Sequence, residues 1–269
     1  MINLSQYETI DPSFLTHENY IEFIRMKSKN LEIKVSCNIR SKISESPLLK
    51  SKTRLSFLTM ENLEKEMEII EELKDYAVVC SSWIPVKSYY LFFNLSLILE
   101  YLISGDGNVL KQESHQGLLN KLKNRIISKE LIFSESCFNQ VYTAAEIDQW
   151  KFEPGNNLRT VLQIDRDKQI VKKLLNYSKE EFRRRNKRTI SGKNKSLFYN
   201  HTKISLIGFF YWYRIKVNYR DLEFLDSKVN ESLFYEYYKN YYLASKRFYT
   251  AFVREINRLA NIRFGKELF

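Results

Sequence analysis

The longest apolar signal in the chain runs from Tyr89 to Ile103 and is interrupted only by Asn94, Ser96 and Glu100. A helix over this stretch has no broad polar face, so the pattern predicts a central helix buried on all sides. Gly105-Asp106-Gly107-Asn108 closes it, because glycine and asparagine accept the positive φ of a helix C-terminus. A further helix is predicted over His115 to Ile127, starting near Ser114. Upstream, Thr59-Met60-Glu61-Asn62 reads as an N-cap and acidic first turn, with Leu63, Met67, Ile70, Leu73 and Ala77 on one helical face. Ser81-Ser82-Trp83-Ile84-Pro85 breaks that helix and leads into the central one, so the two are expected to pair as an antiparallel hairpin.

The flanking regions are less regular. After Pro12, the spacing of Phe14, Tyr20, Phe23 and Ile24 predicts a short helix. Leu31 to Cys37 alternates with period two and reads as a strand without an evident partner, or as part of an irregular arm. Ser41 to Thr53, around Pro47, reads as a surface connection. Residues 1–58 are therefore expected to be an N-terminal arm or irregular extension, and 59–269 a helical domain. Glu130 to Trp150 should hold at least one short helix, and Glu153-Pro154-Gly155-Asn156-Asn157 a turn. A helix with a basic end is predicted over Asp165 to Arg188, and another over Ile204 to Leu225, apolar all round in its first half. Val229 to Phe269 predicts a long aromatic helix. Its Phe234, Tyr237, Tyr238, Tyr241, Tyr242, Phe248 and Phe252 recur at helical spacing, which suits a core or a subunit interface.

Composition points the same way. Only 7 glycines and 4 prolines punctuate 269 residues, which favours long helices and an all-α class. The net charge of +11 suits RNA or DNA, an anionic membrane surface or an acidic partner protein. The abundance of lysine, isoleucine and asparagine also fits an AT-rich coding bias, in which the excess charge is a solvated surface. Cys37, Cys80 and Cys137 lie far apart without neighbouring histidines, as buried free thiols do, and form neither a disulfide framework nor a zinc site. The N-terminus lacks a secretory pattern, and the Tyr89–Ile103 run is shorter than the ~20 residues that span a bilayer. These features predict a protein of the reducing cytoplasm, outside the membrane.

The densest charge is Arg183-Arg184-Arg185-Asn186-Lys187-Arg188, followed by Lys193 and Lys195. It is the candidate nucleic-acid-binding stretch, although cations at a helix C-terminus also answer the helix dipole and often stay solvated. Glycine-rich phosphate loops, His-Glu-x-x-His, Gly-x-Ser-x-Gly and two-metal carboxylate clusters are all absent from the sequence, so no metal or cofactor is expected.

Ser88-Tyr89-Tyr90 and Phe93-Asn94 in a hydrophobic helix, Ser114-His115 before Gly117-Leu118-Leu119, and Tyr213-Arg214 before Asn218-Tyr219 together resemble the HEPN domain superfamily, over roughly residues 60–225. The resemblance implies a four- or five-helix bundle that commonly dimerises, in a group that includes RNA-cleaving toxins and defence effectors. Ribonuclease members carry an arginine, a polar residue and, after a short spacer, a histidine. Here no arginine precedes His17 or His115 at that spacing, and Arg188 is too far from His201. The resemblance therefore implies a non-catalytic helical subunit that binds nucleic acid, a protein partner or both, with a homo-oligomer among the assemblies open to it, in a prokaryotic defence or toxin–antitoxin system. The alternative is a divergent metal-independent ribonuclease using His115, Arg214 and Asn218, with His201 as a further candidate. Arg214 and Asn218 share a helix face, where they would bind a phosphate or simply bond each other and a neighbouring carboxylate. His115 at a helix start would serve catalysis, or merely cap the backbone.

Overall fold

The structure is a computed structural model and describes residues 12–37, 39, 42–150, 166–186, 190–219 and 231–269. It is an all-α bundle with two very short antiparallel strand pairs. At its centre lie α4 (Ile84–Ser104) and α11 (Glu231–Phe264), which run parallel: Ser245 Oγ donates to Ser88 Oγ at 2.8 Å near one end, and Arg263 reaches Leu102 and Ile103 at the other. α4 is buried almost throughout, as its apolar pattern requires. Gly105 ends it at φ 74°, and Arg263 Nε and Nη2 donate to the carbonyls of Leu102 and Ile103 at 2.8 and 2.9 Å, a cation at a helix C-terminus. α11 turns its aromatic stripe inward, burying Phe234, Tyr237, Tyr238, Tyr241, Phe248 and Phe252, while Tyr242 is half-buried.

Around this pair the chain adds α1 (Pro12–Lys27), α2 (Pro47–Glu72), α3 (Tyr76–Ser81), α5 (Asn108–Gln112) and α6 (His115–Ile127), then α7 (Ala144–Asp148), α8 (Arg166–Asn186), α9 (Gly192–His201) and α10 (Phe209–Tyr219). α1 lies on α11 with Phe14 against Phe234 and Tyr237. His17, 1% exposed, bonds the hydroxyls of Tyr237 and Tyr241 through its two ring nitrogens and stacks on Tyr213 at 3.9 Å. It is a core residue.

The expected bounds of several elements need correction. The predicted helix start at Thr59 lies inside α2, which begins at Pro47 with Ser46 as N-cap, so the proposed surface connection is partly helix and the division at 58/59 falls mid-helix. The polar look of this segment misleads, because Ser51, Thr53, Ser56 and Thr59 all donate to the carbonyl four residues back and are satisfied within the helix. α2 also stops at Glu72: Leu73 is exposed and Ala77 belongs to α3. The hairpin with α4 does form. Lys52 Nζ donates to Asn94 and Lys87 Nζ to Glu66, a reversed order that makes the pair antiparallel.

The alternating run becomes β1 (Ile33–Val35), whose partner is β2 (Leu131–Phe133), with Ile33 opposite Phe133 and Val35 opposite Leu131. Glu255 Oε1 of α11 accepts from Val35 N at 2.6 Å and ties the strand to the bundle. β3 (Tyr142–Thr143) pairs with β4 (Lys203–Ile204), so the predicted helix from Ile204 begins only at Phe209. Glu100, the one charge in the apolar run, is 3% exposed and held by Arg125 of α6 through Nε at 2.5 Å and Nη2 at 2.7 Å. Among the described residues no helix is long and apolar enough to cross a membrane. The thiols are free: Cys80 and Cys137 are buried, whereas Cys37 is half-buried.

Candidate functional site

His115 is the first residue of α6, positioned by its cap: Ser114 Oγ accepts from Gly117 N at 3.0 Å. The His115 ring sits in an aromatic box. Its Nδ1 is hydrogen-bonded to the Tyr89 hydroxyl, and the Phe93 ring centroid is 4.3 Å away. Burial first, then the charges of Arg214 and Lys52, lower its pKa and so favour the neutral ring.

Arg214, on α10, faces the same box. Its guanidinium lies over the rings of Tyr89, Tyr90 and Tyr211 at 4.7, 5.6 and 5.8 Å, and Nη1 donates to the Tyr90 hydroxyl at 3.2 Å. Its Nε is buried and makes no hydrogen bond. The box is therefore built from the Tyr89, Tyr90 and Phe93 end of α4, the start of α6 and the middle of α10.

The end of α8 completes the site. Arg184 and Arg185 both bind Glu181, at 2.7 and 2.6 Å, and Glu181 is 3% exposed. The Arg184 and Arg185 hydrogen bonds prevail over burial and hold the Glu181 carboxyl at about 2. Arg185 Nη1 also donates to Gln116 Oε1 at 3.0 Å, joining α8 to α6. These three helices enclose a cleft of about 600 Å³ lined by Ser114, His115, Gln116, Glu181, Arg184, Arg185, Tyr211, Arg214 and Ile215. Three guanidiniums face one carboxylate there, so the recess is net positive.

The structure thus brings His115 and Arg214 together with Arg184 and Arg185, although the residues come from three separate stretches. Arg183 is exposed on the same last turn of α8 and does not line the cleft. Lys195 is exposed on α9 and lies over Tyr199 at 5.8 Å. Asn218 is on α10, but its side chain, that of Lys193, and Lys187 and Arg188 lie outside the described residues. His201 lines a neighbouring chamber instead of the cleft. Sequence reasoning missed Glu181, Gln116 and Tyr211 because their placement depends on how α6, α8 and α10 meet. Among the described residues there is no group of three or more His, Cys, Asp and Glu arranged for a metal ion. No protein-family model matches the chain, nor does any curated protein or solved structure.

Proposed function

We propose that the protein is a non-catalytic helical subunit that binds nucleic acid, seating phosphates in the cleft between α6, α8 and α10. One observation carries this reading: Arg184, Arg185 and Arg214 converge on one recess with, among the described residues, only Glu181 against them. A recessed positive wall focuses its field on an anion, and guanidiniums match phosphate oxygens in pairs. Tyr90, 41% exposed beside Arg214, offers a ring on which a base can stack. Assembly with a partner protein or a second copy, in a prokaryotic defence or toxin–antitoxin setting, extends the same reading. The exposed Leu73, Val79 and Trp83 around α3 supply apolar surface for it.

The test is fluorescence anisotropy of labelled single-stranded RNA and DNA across a salt series. Wild type should lose affinity steeply with salt, and Arg214→Ala should flatten the log–log slope by about 0.7 for the phosphate it no longer contacts. Unchanged low-salt binding by a folded Arg184→Glu/Arg185→Glu variant refutes the reading.

A second reading, a divergent metal-independent ribonuclease of HEPN type, is favoured by His115, shifted toward its neutral form, in the same cleft as Arg214. In the tautomer in which Nδ1 donates to the Tyr89 hydroxyl, the other ring nitrogen is free to take the proton of a ribose 2′-hydroxyl, and Arg214 to meet the phosphate charge. RNA cleavage lost in both His115→Ala and Arg214→Ala, with the fold intact, selects this reading. Absence of cleavage by the wild type eliminates it.

A further inference from the structure

Adjoining the cleft is a smaller chamber of about 270 Å³ that shares Gln116, Glu181, Arg185 and Tyr211 with it. Lys123, only 8% exposed, lines this chamber. It is fixed by α6, where it falls on the buried face with Leu119, Leu122 and Ile126. Its Nζ spends one proton on the carbonyl of Lys203, at 2.6 Å, and has two left. Burial and the neighbouring Lys203 ammonium lower the Lys123 pKa to about 8, and among the described residues no carboxylate offsets them. Among the described residues the one acid on the chamber wall, Glu181, is taken by Arg184 and Arg185.

A second group points into the same need. Ser205 is 2% exposed, lines the chamber, and its Oγ is buried with no hydrogen-bond partner. Among the described residues the ammonium has no counter-ion and the hydroxyl no partner, both of which are costly, and an anion in the chamber that both residues line would answer both. The remaining wall includes the aromatic side chains of Phe198, Tyr211 and Trp212, which can adjoin a heterocyclic ring. Arg185, shared with the cleft, stands where the two spaces meet.

We propose that this chamber is a binding site for a phosphomonoester carried on a nucleotide, with Lys123 and Ser205 as its phosphate-binding groups and the aromatic wall receiving the base. A free mononucleotide fits this chemistry, and so does the phosphorylated end of a strand whose body lies in the cleft. Only the strand form rests on the cleft reading. An internal phosphodiester lacks the second ionisable oxygen and the free end needed to enter so small a space, so the site distinguishes chain ends from chain interiors.

The experiment is calorimetric titration of the full chain with adenosine 5′-monophosphate and with adenosine, alongside anisotropy of one oligonucleotide bearing either a phosphate or a hydroxyl at its 5′ end. Wild type should bind the monophosphate about ten- to a hundred-fold more tightly than the nucleoside. Lys123→Met, which keeps the stem and removes the charge, and Ser205→Ala, which removes the hydroxyl with little change of volume, should each weaken monophosphate binding. Equal binding of the monophosphate and adenosine by wild type, or binding of neither, overturns the proposal without any variant. Unchanged monophosphate affinity in a folded Lys123→Met protein also overturns it. Monophosphate binding without binding of any oligonucleotide sustains the chamber and overturns the cleft reading. A phosphate-end preference that Lys123→Met abolishes, with hydroxyl-ended binding intact, sustains both.

Discussion

Glu18 offers a test of the packing of α1 on α11 that reads out as a pH profile. Its carboxyl is half-buried, accepts from Asn240 Nδ2 at 3.1 Å, and takes its proton at about 7 instead of the ordinary 4.5. Burial is the main cause. The carboxylates of Glu22 and Glu236 add to it, while Asn240 and Arg25 oppose it. A carboxyl whose folded pKa is raised holds a proton that the unfolded chain has released, so its contribution to stability falls as pH climbs from 4.5 to about 7 and is level above that. At roughly 1.4 kcal/mol per pH unit the full gap is about 3 kcal/mol, and the part of the side chain that water still reaches reduces this to about 2 kcal/mol. Glu18→Gln keeps an oxygen to accept from Asn240 and removes the charge. Urea unfolding at pH 4.5, 6, 7 and 8 should therefore show the variant equal to wild type at pH 4.5 and more stable by about 2 kcal/mol at pH 8, with most of the gap opening between pH 5 and 7. A difference independent of pH refutes the reasoning, because it would mean that the carboxylate ionises in the fold as freely as in water.

Other consequences are equally direct. Arg125→Met leaves Glu100 buried without its bidentate partner and should cost about 3–5 kcal/mol in urea unfolding, and adding Glu100→Gln should recover part of the loss. Arg214→Ala removes a charge that lowers the His115 pKa, so the His115 ring signals followed by NMR should titrate at higher pH than in wild type; an unchanged midpoint means that the two groups do not sense each other. Gly105→Ala should cost about 1–2 kcal/mol from the left-handed backbone, plus a crowded contact 3.3 Å from Ile43 Cγ2, whereas Gly107→Ala, at φ −63° with open space around it, should change stability by less than about 0.5 kcal/mol.

What the sequence disclosed about the fold followed the strength of each local pattern. α4, α6 and α11 were readable because an all-round apolar run, a serine cap and an aromatic stripe are each decided within a few turns. The beginning of α2 was not, since hydroxyls that look like loop residues bond back to their own helix. β2, β3 and β4 span two or three residues each and leave no periodicity to find. His115 and Arg214 were visible as candidates through their residue types and places on helices. Their meeting was not, because it depends on α10 lying against α4. Lys123 carried a usable signal: a lysine three or four residues from Leu119 and Ile126 interrupts an otherwise apolar face, as Glu100 interrupts its own helix. Glu100 meets that demand with Arg125, whereas Lys123 finds no acid among the described residues.

The basic stretch shows why charge density along a sequence is a poor guide to a binding surface. Arg183, Arg184 and Arg185 are consecutive, yet only two of them turn toward the cleft. Those two are held there by Glu181, a turn earlier on α8, which sits 3% exposed behind them. The carboxylate subtracts one charge from the recess, but it also fixes two long side chains that would otherwise lose conformational freedom on meeting a phosphate. Its removal would raise the net positive charge and, by this argument, weaken specific binding while strengthening diffuse attraction. Preorganisation and charge thus act in opposite directions at a single residue. Glu181→Gln separates them: a weaker complex at moderate salt, with a steeper salt slope, means that Glu181 serves the site by holding the arginines in place.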